Sequence, residues 1–312
     1  MTDHDITEAS TVIVTGPTRG LGLETTRALV QLSTGLDVLL VGRLSQAMEQ
    51  ISSEIAIAQS RPHIIACDFS DLDSVRSAST EIAGLIDSGA VTPISSLVAN
   101  AGLQTIDRNH VTKQGYELTF GVNVLAQQVL TNELLDHFEL DARIILVGSG
   151  THRDDRKKAA VALPRWEDPA SLCQPGVGDD AGESAAGQRA YATSKLCVNY
   201  LVHELDRRHG GKVVALVHDP GMMPGTGLAR DMSAARRLAW EKVMPRLNLP
   251  GSSTPQRSGR VLAEMALRLK FADARGGYVD IDELGEPSPQ SFNPEREAQL
   301  WEACIEMARS AS

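Results

Sequence analysis

A short β-branched run, Thr11-Val-Ile-Val-Thr15, stops at a glycine, and the segment Gly16-Pro-Thr-Arg-Gly20-Leu-Gly22 then leads into residues 23–32, which read as a helix. Strand, glycine-rich turn and helix in that order constrain the fold more than any other stretch. Glycines allow a tight turn and let the backbone approach a pyrophosphate, and the helix N-terminus then offers free N–H groups to the anion. The bland alternative is a strand–helix turn that uses glycine only for its backbone freedom. The same punctuation recurs along the chain. Apolar runs at 37–43, 63–68, 97–102, 144–149, 212–221 and 277–281 alternate with helix-length segments. That alternation predicts an α/β fold: a doubly wound, mostly parallel, Rossmann-type sheet of about seven strands with helices on both faces.

The 312 residues, 42% of them hydrophobic, suffice for one large α/β domain. A net charge of −10 removes the basic footprint of a nucleic-acid binder. Cys67, Cys173, Cys197 and Cys304 show no CxxC or Cys/His ligand spacing, so neither a metal site nor a disulfide framework is expected. Residues 1–10 are polar and acidic, unlike a signal peptide, and read as a disordered tail. No apolar run approaches the roughly 20 residues that span a bilayer. The expectation is a soluble cytoplasmic protein without a membrane or nucleic-acid partner; a homo-oligomer stays open.

Tyr191 and Lys195 stand at i and i+4 in Tyr191-Ala-Thr-Ser-Lys195, one turn apart on a helix face. An ammonium beneath a phenol favours the phenolate, so the pair predicts a tyrosine pKa below its usual value of about 10. Such a tyrosine could carry protons near neutral pH. A helical Tyr beside a solvated Lys is the plainer reading of the pair alone.

Taken together, TGxxxGxG at 15–22 and YxxxK at 191–195 resemble the short-chain dehydrogenase/reductase family. Further matches fall on Asp68 at the end of the third strand, Asn100-Ala101-Gly102 after the fourth and Asn123 on the following helix. Ser149 at the end of the fifth strand and Pro220-Gly221 after the sixth match too. The resemblance covers roughly residues 11–285, one Rossmann-type domain. It implies a catalytic set of Asn123, Ser149, Tyr191 and Lys195. It implies cofactor contacts from Gly16, Thr18, Arg19, Gly20, Leu21, Gly22, Arg43, Asp68, Phe69, Asn100, Ala101, Gly102, Tyr191, Lys195, Pro220, Gly221 and Thr226. In family terms, Ser149 would bind a substrate carbonyl oxygen and Tyr191 would protonate it. Lys195 would hold the nicotinamide ribose, and Asn123 would hold a water that relays protons to Lys195.

The cofactor can be narrowed. NAD-specific folds carry an Asp or Glu at the end of the second strand for the ribose 2′-OH. Here Gly42-Arg43 fills that place, and Asp37 lies at the opposite end. Arg19 lies inside the glycine turn. Two guanidinium groups suit a 2′-phosphate, so NADP(H) is the expected cofactor.

Departures from the minimal family pattern are informative. Ser149 and Tyr191 are 42 positions apart, which makes 150–189 an insertion near the active site, either a pocket wall or a surface excursion. Residues 221–251 fall where the family has its substrate-binding loop, and 286–312 read as an amphipathic C-terminal helix expected to pack on the domain through Leu300, Trp301, Cys304, Ile305 and Ala308. These features look most like the branch that contains retinol dehydrogenases and light-dependent protochlorophyllide reductases. The expected activity is NADP(H)-dependent hydride transfer to a carbonyl of a bulky, apolar small molecule, a ketoreductase, or the reverse alcohol oxidation. The alternatives are a C=C reductase and a non-catalytic NADP(H)-binding sensor. His152 lacks the Gly-x-Ser-x-Gly context of a hydrolase and is either a substrate contact or a bystander. His218 and Asp219 end a strand and need do no more than hold its loop.

Overall fold

The structure, a computed structural model, describes residues 10–154, 162–176, 183–223 and 251–311. Eight strands form one sheet in the order β3-β2-β1-β4-β5-β6-β7-β8. They are β1 (Thr11–Thr15), β2 (Asp37–Gly42), β3 (Arg61–Ala66), β4 (Ile94–Ala99), β5 (Phe138–Val147), β6 (Val213–Asp219), β7 (Gly277–Asp280) and β8 (Glu283–Gly285). The first seven are parallel, and β8 turns back antiparallel on β7. The eighth strand escapes the sequence pattern because its three residues are all exposed, so no apolar alternation marks it.

The strands are apolar at both parities because helices cover both faces. In β1, Ile13 joins one core while Val12 and Val14 join the other. In β6, Val213, Ala215 and Val217 face the first core, and Val214 and Leu216 face the second. The second core is closed by α1 (Gly20–Leu32), α2 (Gln46–Ile57) and α8 (Pro255–Ala266), whose buried residues it contains. The first is closed by α3 (Leu72–Asp87), the α4–α5 run (Leu118–Phe120 and Ala126–Glu133), α7 (Glu183–His209) and α9 (Pro294–Ser310). A short α6 spans Pro169–Leu172. As the pattern predicted, α9 buries Leu300, Trp301 and Cys304. Asn293 caps it by accepting from Arg296 N.

Several boundaries move. Ser10 is already tied in, with its carbonyl accepting from Asp37 N and its hydroxyl donating to Ser95 Oγ. β4 and β5 begin earlier than their apolar runs, at Ile94 and Phe138, because these two apolar residues pair with each other ahead of a register shift and of the polar residues that follow. No helix among the described residues is long and apolar enough to cross a membrane. Strand order reverses between β1 and β4, and the C-terminal ends of the strands there form the crevice in which such sheets bind ligands.

Candidate active site

The glycine turn meets that crevice first. Gly16 and Gly20 have φ of +64° and +53°, a region in which side chains with a Cβ are strained. A Cβ on Gly22 would lie 2.2 Å from the Gly16 carbonyl oxygen and 2.5 Å from Asn100 Nδ2, so α1 can sit this close only on a glycine. Asn100 Nδ2 donates to the Thr15 and Gly16 carbonyls at 2.9 and 3.1 Å, and Ala101 N donates to Thr15 Oγ1 at 2.8 Å. The Asn-Ala-Gly segment after β4 thus braces the turn after β1. Helix α1 has no side-chain cap and no acid in its first turn, which leaves its N–H groups open to an anion.

Arg19, within this turn, and Arg43, just after β2, are exposed, and neither pairs with an acid among the described residues. Asp37 lies at the far end of β2, held by Arg61 at 2.6 and 2.7 Å and by His63. Asp68 Oδ1 accepts from Ser70 N and Oγ, which shapes the entry to α3. Phe69 and Leu21 are buried in the two cores, so only their backbones, not their side chains, could face a cofactor. Gly221 N donates to Asp219 Oδ1, and the Pro220 carbonyl accepts from Ser258 Oγ. Thr226 and most of the 221–251 loop lie outside the described residues.

Ser149, Tyr191 and Lys195 come close together, and one expectation is corrected. Ser149 stands where β5 exits, and its Oγ accepts from Thr151 N and Oγ1. Tyr191 is nearly buried on α7, with the Ser149 side chain near enough to favour its phenolate. Lys195 Nζ donates to the Val147 carbonyl at 2.8 Å and lies 5.6 Å from the Tyr191 ring centre. The correction concerns Tyr191. Its pKa is pushed up to about 12, not down: burial outweighs the Ser149 side chain, and the Asp219 charge adds to burial. Lys195 yields instead, pulled down to about 8 by burial, with Asp219 opposing. Asn123 sits in a π-helical turn, Gly121–Leu125, between α4 and α5. Its amide accepts from Leu103 N and donates to the Leu103 carbonyl and Ser194 Oγ. Ser194 Oγ in turn donates to the Tyr191 carbonyl. The side chain thereby braces the Tyr191 turn.

Other participants lacked a local signal. Asp219 is buried and accepts from Tyr278 Oη at 2.6 Å, joining β6 to β7 behind the site. His152 has no exposed surface and cannot be a substrate contact. Of the insertion, 162–176 packs on α7 and on the loop that carries Arg108. Arg165 exchanges hydrogen bonds with Thr193 Oγ1, Trp166 stacks edge-on against Tyr200, and Arg108 binds the carbonyls of Ser171, Leu172 and Gln174. Residues 155–161 and 177–182 lie outside the described residues. All four cysteines are buried and free.

Comparison with known proteins agrees with this geometry. The family model for short chain dehydrogenases matches residues 10–161. An oxidoreductase of Penicillium decumbens is 27% identical, covering 95% of this chain and 86% of that protein. Human polyprenol dehydrogenase is 26% identical, covering 95% of this chain and 84% of its own length. Among solved structures, a short chain dehydrogenase of Burkholderia cenocepacia in complex with NADP superposes with a TM-score of 0.62 at 21% identity, covering 88% of this chain and 96% of that one. The family model ends before Tyr191 and Lys195, but the relatives run through them and the fold brings them to Ser149. The chain belongs to the short-chain dehydrogenase/reductase family of oxidoreductases.

Proposed function

We propose that this protein is an NADP(H)-dependent ketoreductase, moving a hydride between the nicotinamide and the carbonyl carbon of a bulky, apolar small molecule. The observation that carries this reading is the meeting of Ser149, Tyr191 and Lys195 beside an uncapped, glycine-lined helix N-terminus. Those N–H groups and the absence of an acid in the first turn of α1 suit a pyrophosphate. Arg19 and Arg43 suit a 2′-phosphate in charge and in planar shape. The dinucleotide supplies the hydride when bound.

The residues of the chain supply orientation and the proton. Ser149 Oγ binds the carbonyl oxygen, and Tyr191 Oη donates its proton to that oxygen. A phenol pushed up to about 12 is fully protonated at neutral pH, the state that reduction requires. Alcohol oxidation needs the phenolate, so its rate should rise with pH. Lys195 holds ribose hydroxyls and places positive charge beside the phenol as it gives up its proton. Asn123 and Ser194 keep the Tyr191 turn in place. The apolar substrate class is supported by the human relative, whose name makes a polyprenol, a long hydrocarbon alcohol, its substrate. It also accords with the resemblance to the retinol dehydrogenase branch.

The test is a titration with NADPH and NADH, followed by turnover on a panel of ketones, enones and alcohols. NADPH should bind at least about tenfold more tightly, about 1.4 kcal/mol, and Arg43→Ala should erase most of that preference. Equal affinities in the unmutated protein would refute the cofactor assignment. Turnover confined to enones would make it a C=C reductase. Tight NADPH binding without any turnover would make it a sensor.

A further inference from the structure

Ser149 is flanked by Gly148 and Gly150, the two residues least able to hold a backbone orientation by themselves. Something else must fix the serine, and the structure has a candidate three residues on. His152 ends the 3-10 turn Gly150–His152 and is wholly buried. Both of its ring nitrogens are engaged. Nε2 lies 3.0 Å from the amide nitrogen of Ser288. A backbone N–H can only donate, so Nε2 is the bare nitrogen. Nδ1 therefore carries the proton, and it lies 2.7 Å from the Ser149 carbonyl oxygen, which can only accept. The other neutral tautomer and the imidazolium would each set a donor against the Ser288 donor. Burial likewise pushes the ring toward its neutral form.

The surroundings hold the ring in place. Tyr278 lies against it at 5.4 Å between ring centres, and its hydroxyl is bound to Asp219. The His152 carbonyl accepts from Gln290 Nε2 at 2.8 Å. Ser288 and Gln290 belong to the segment between β8 and α9, so the C-terminal extension grips the serine turn at two points. The Ser149 carbonyl also receives the His152 backbone N–H, but at 3.2 Å that bond is the longer of the two.

We propose that His152 is a positioning residue for Ser149. Its Nδ1–H fixes the Ser149 carbonyl, so the serine hydroxyl faces Tyr191, and its Nε2 sets the required tautomer by accepting from Ser288. The proposal rests on the reading of Ser149 as the group that binds the substrate carbonyl.

Three variants separate this role from a structural one. In His152→Asn the amide nitrogen stands near the place of Nδ1, and in His152→Gln the amide oxygen stands near the place of Nε2. His152→Leu offers neither. Turnover should fall about 10- to 100-fold in the Leu and Gln variants through kcat, since small misplacements near the chemistry have effects of that size. The Asn variant should recover most of it, and NADPH affinity should stay within about twofold in all three. If His152 only tied down the C-terminal segment, Gln would rescue and Asn would not. A folded Leu variant with undiminished kcat would overturn the proposal. If the unmutated protein turns over no member of the panel, the ketoreductase reading is what fails. The imidazole nitrogen resonances of His152 then decide the inference: a protonated Nδ1 with a bare Nε2 supports it, and the opposite tautomer or an imidazolium overturns it.

Discussion

Replacing Gly22 with alanine should remove cofactor affinity before it removes the fold. The new Cβ would stand 2.2 Å from the Gly16 carbonyl oxygen and 2.5 Å from Asn100 Nδ2, where contacts under 3.0 Å essentially never occur. The start of α1 would have to retreat by roughly 0.8 Å, because a packed interior does not absorb such overlap. Overpacking of this kind destabilises by about 1–3 kcal/mol. At about 2–4 °C per kcal/mol, the melting temperature should fall by about 2–12 °C. The ligand suffers more. Two N–H bonds to a charged phosphate, each contributing about 1.5–3 kcal/mol, would be stretched beyond useful length. Losing both amounts to about 3–6 kcal/mol, at least about 100-fold in Kd. Thermal unfolding and NADPH titration measure the two effects separately. Gly35→Ala is the control, since Gly35 has φ of +75° and nothing within 4 Å of its added Cβ. It should show backbone strain of about 1–2 kcal/mol and unchanged affinity. If folded Gly22→Ala binds NADPH within about threefold of the unmutated protein, the turn is not the phosphate site.

Tyr191→Phe keeps the ring and removes the proton donor. Reductase turnover should drop by about 10²–10⁴-fold with NADPH affinity nearly unchanged, and full turnover would place the proton source elsewhere. Lys195, at about 8, loses its charge as pH rises, so kcat/KM for NADPH should decline above about pH 8. Asp219→Asn removes the charge that holds the Lys195 pKa up, so this alkaline decline should move to lower pH; an unmoved limb would exclude Lys195 as its source. Arg143 is fully buried and donates to the carbonyls of Met265, Lys270, Phe271 and Ala272 at 2.7–3.1 Å. Arg143→Met leaves these acceptors without their donor and should lower the unfolding free energy by about 3–5 kcal/mol, read from denaturant midpoints. A change below about 0.5 kcal/mol would show that the loop finds other partners.

Much of this molecule was legible before its structure. The glycine turn, the seven parallel strands and the C-terminal helix announce themselves through period and spacing, which neighbouring residues carry among themselves. Val12, Ile13 and Val14 can be read as a strand buried on both faces without knowing what covers either face. Tyr191 and Lys195 share a helix face by spacing alone. What that face experiences is another matter. The spacing predicts a depressed phenol pKa, yet burial and Asp219, at the end of β6, push it up. Asn123 is recognisable as a site residue, but its amide is committed to Leu103 and Ser194, contacts that exist only because a π-helical turn packs against the loop after β4 and against α7. Trp166 lies in an insertion beside the site in sequence and packs on Tyr200 in space. By sequence His152 reads as a substrate contact or a bystander, and only the fold brings the Ser288 amide, 136 positions away, onto its Nε2. Local patterns determine which segments become strands and helices, because backbone geometry responds to near neighbours. Protonation states and the partners of buried polar groups depend on desolvation and on residues brought together from distant parts of the chain, and only the packed structure determines those.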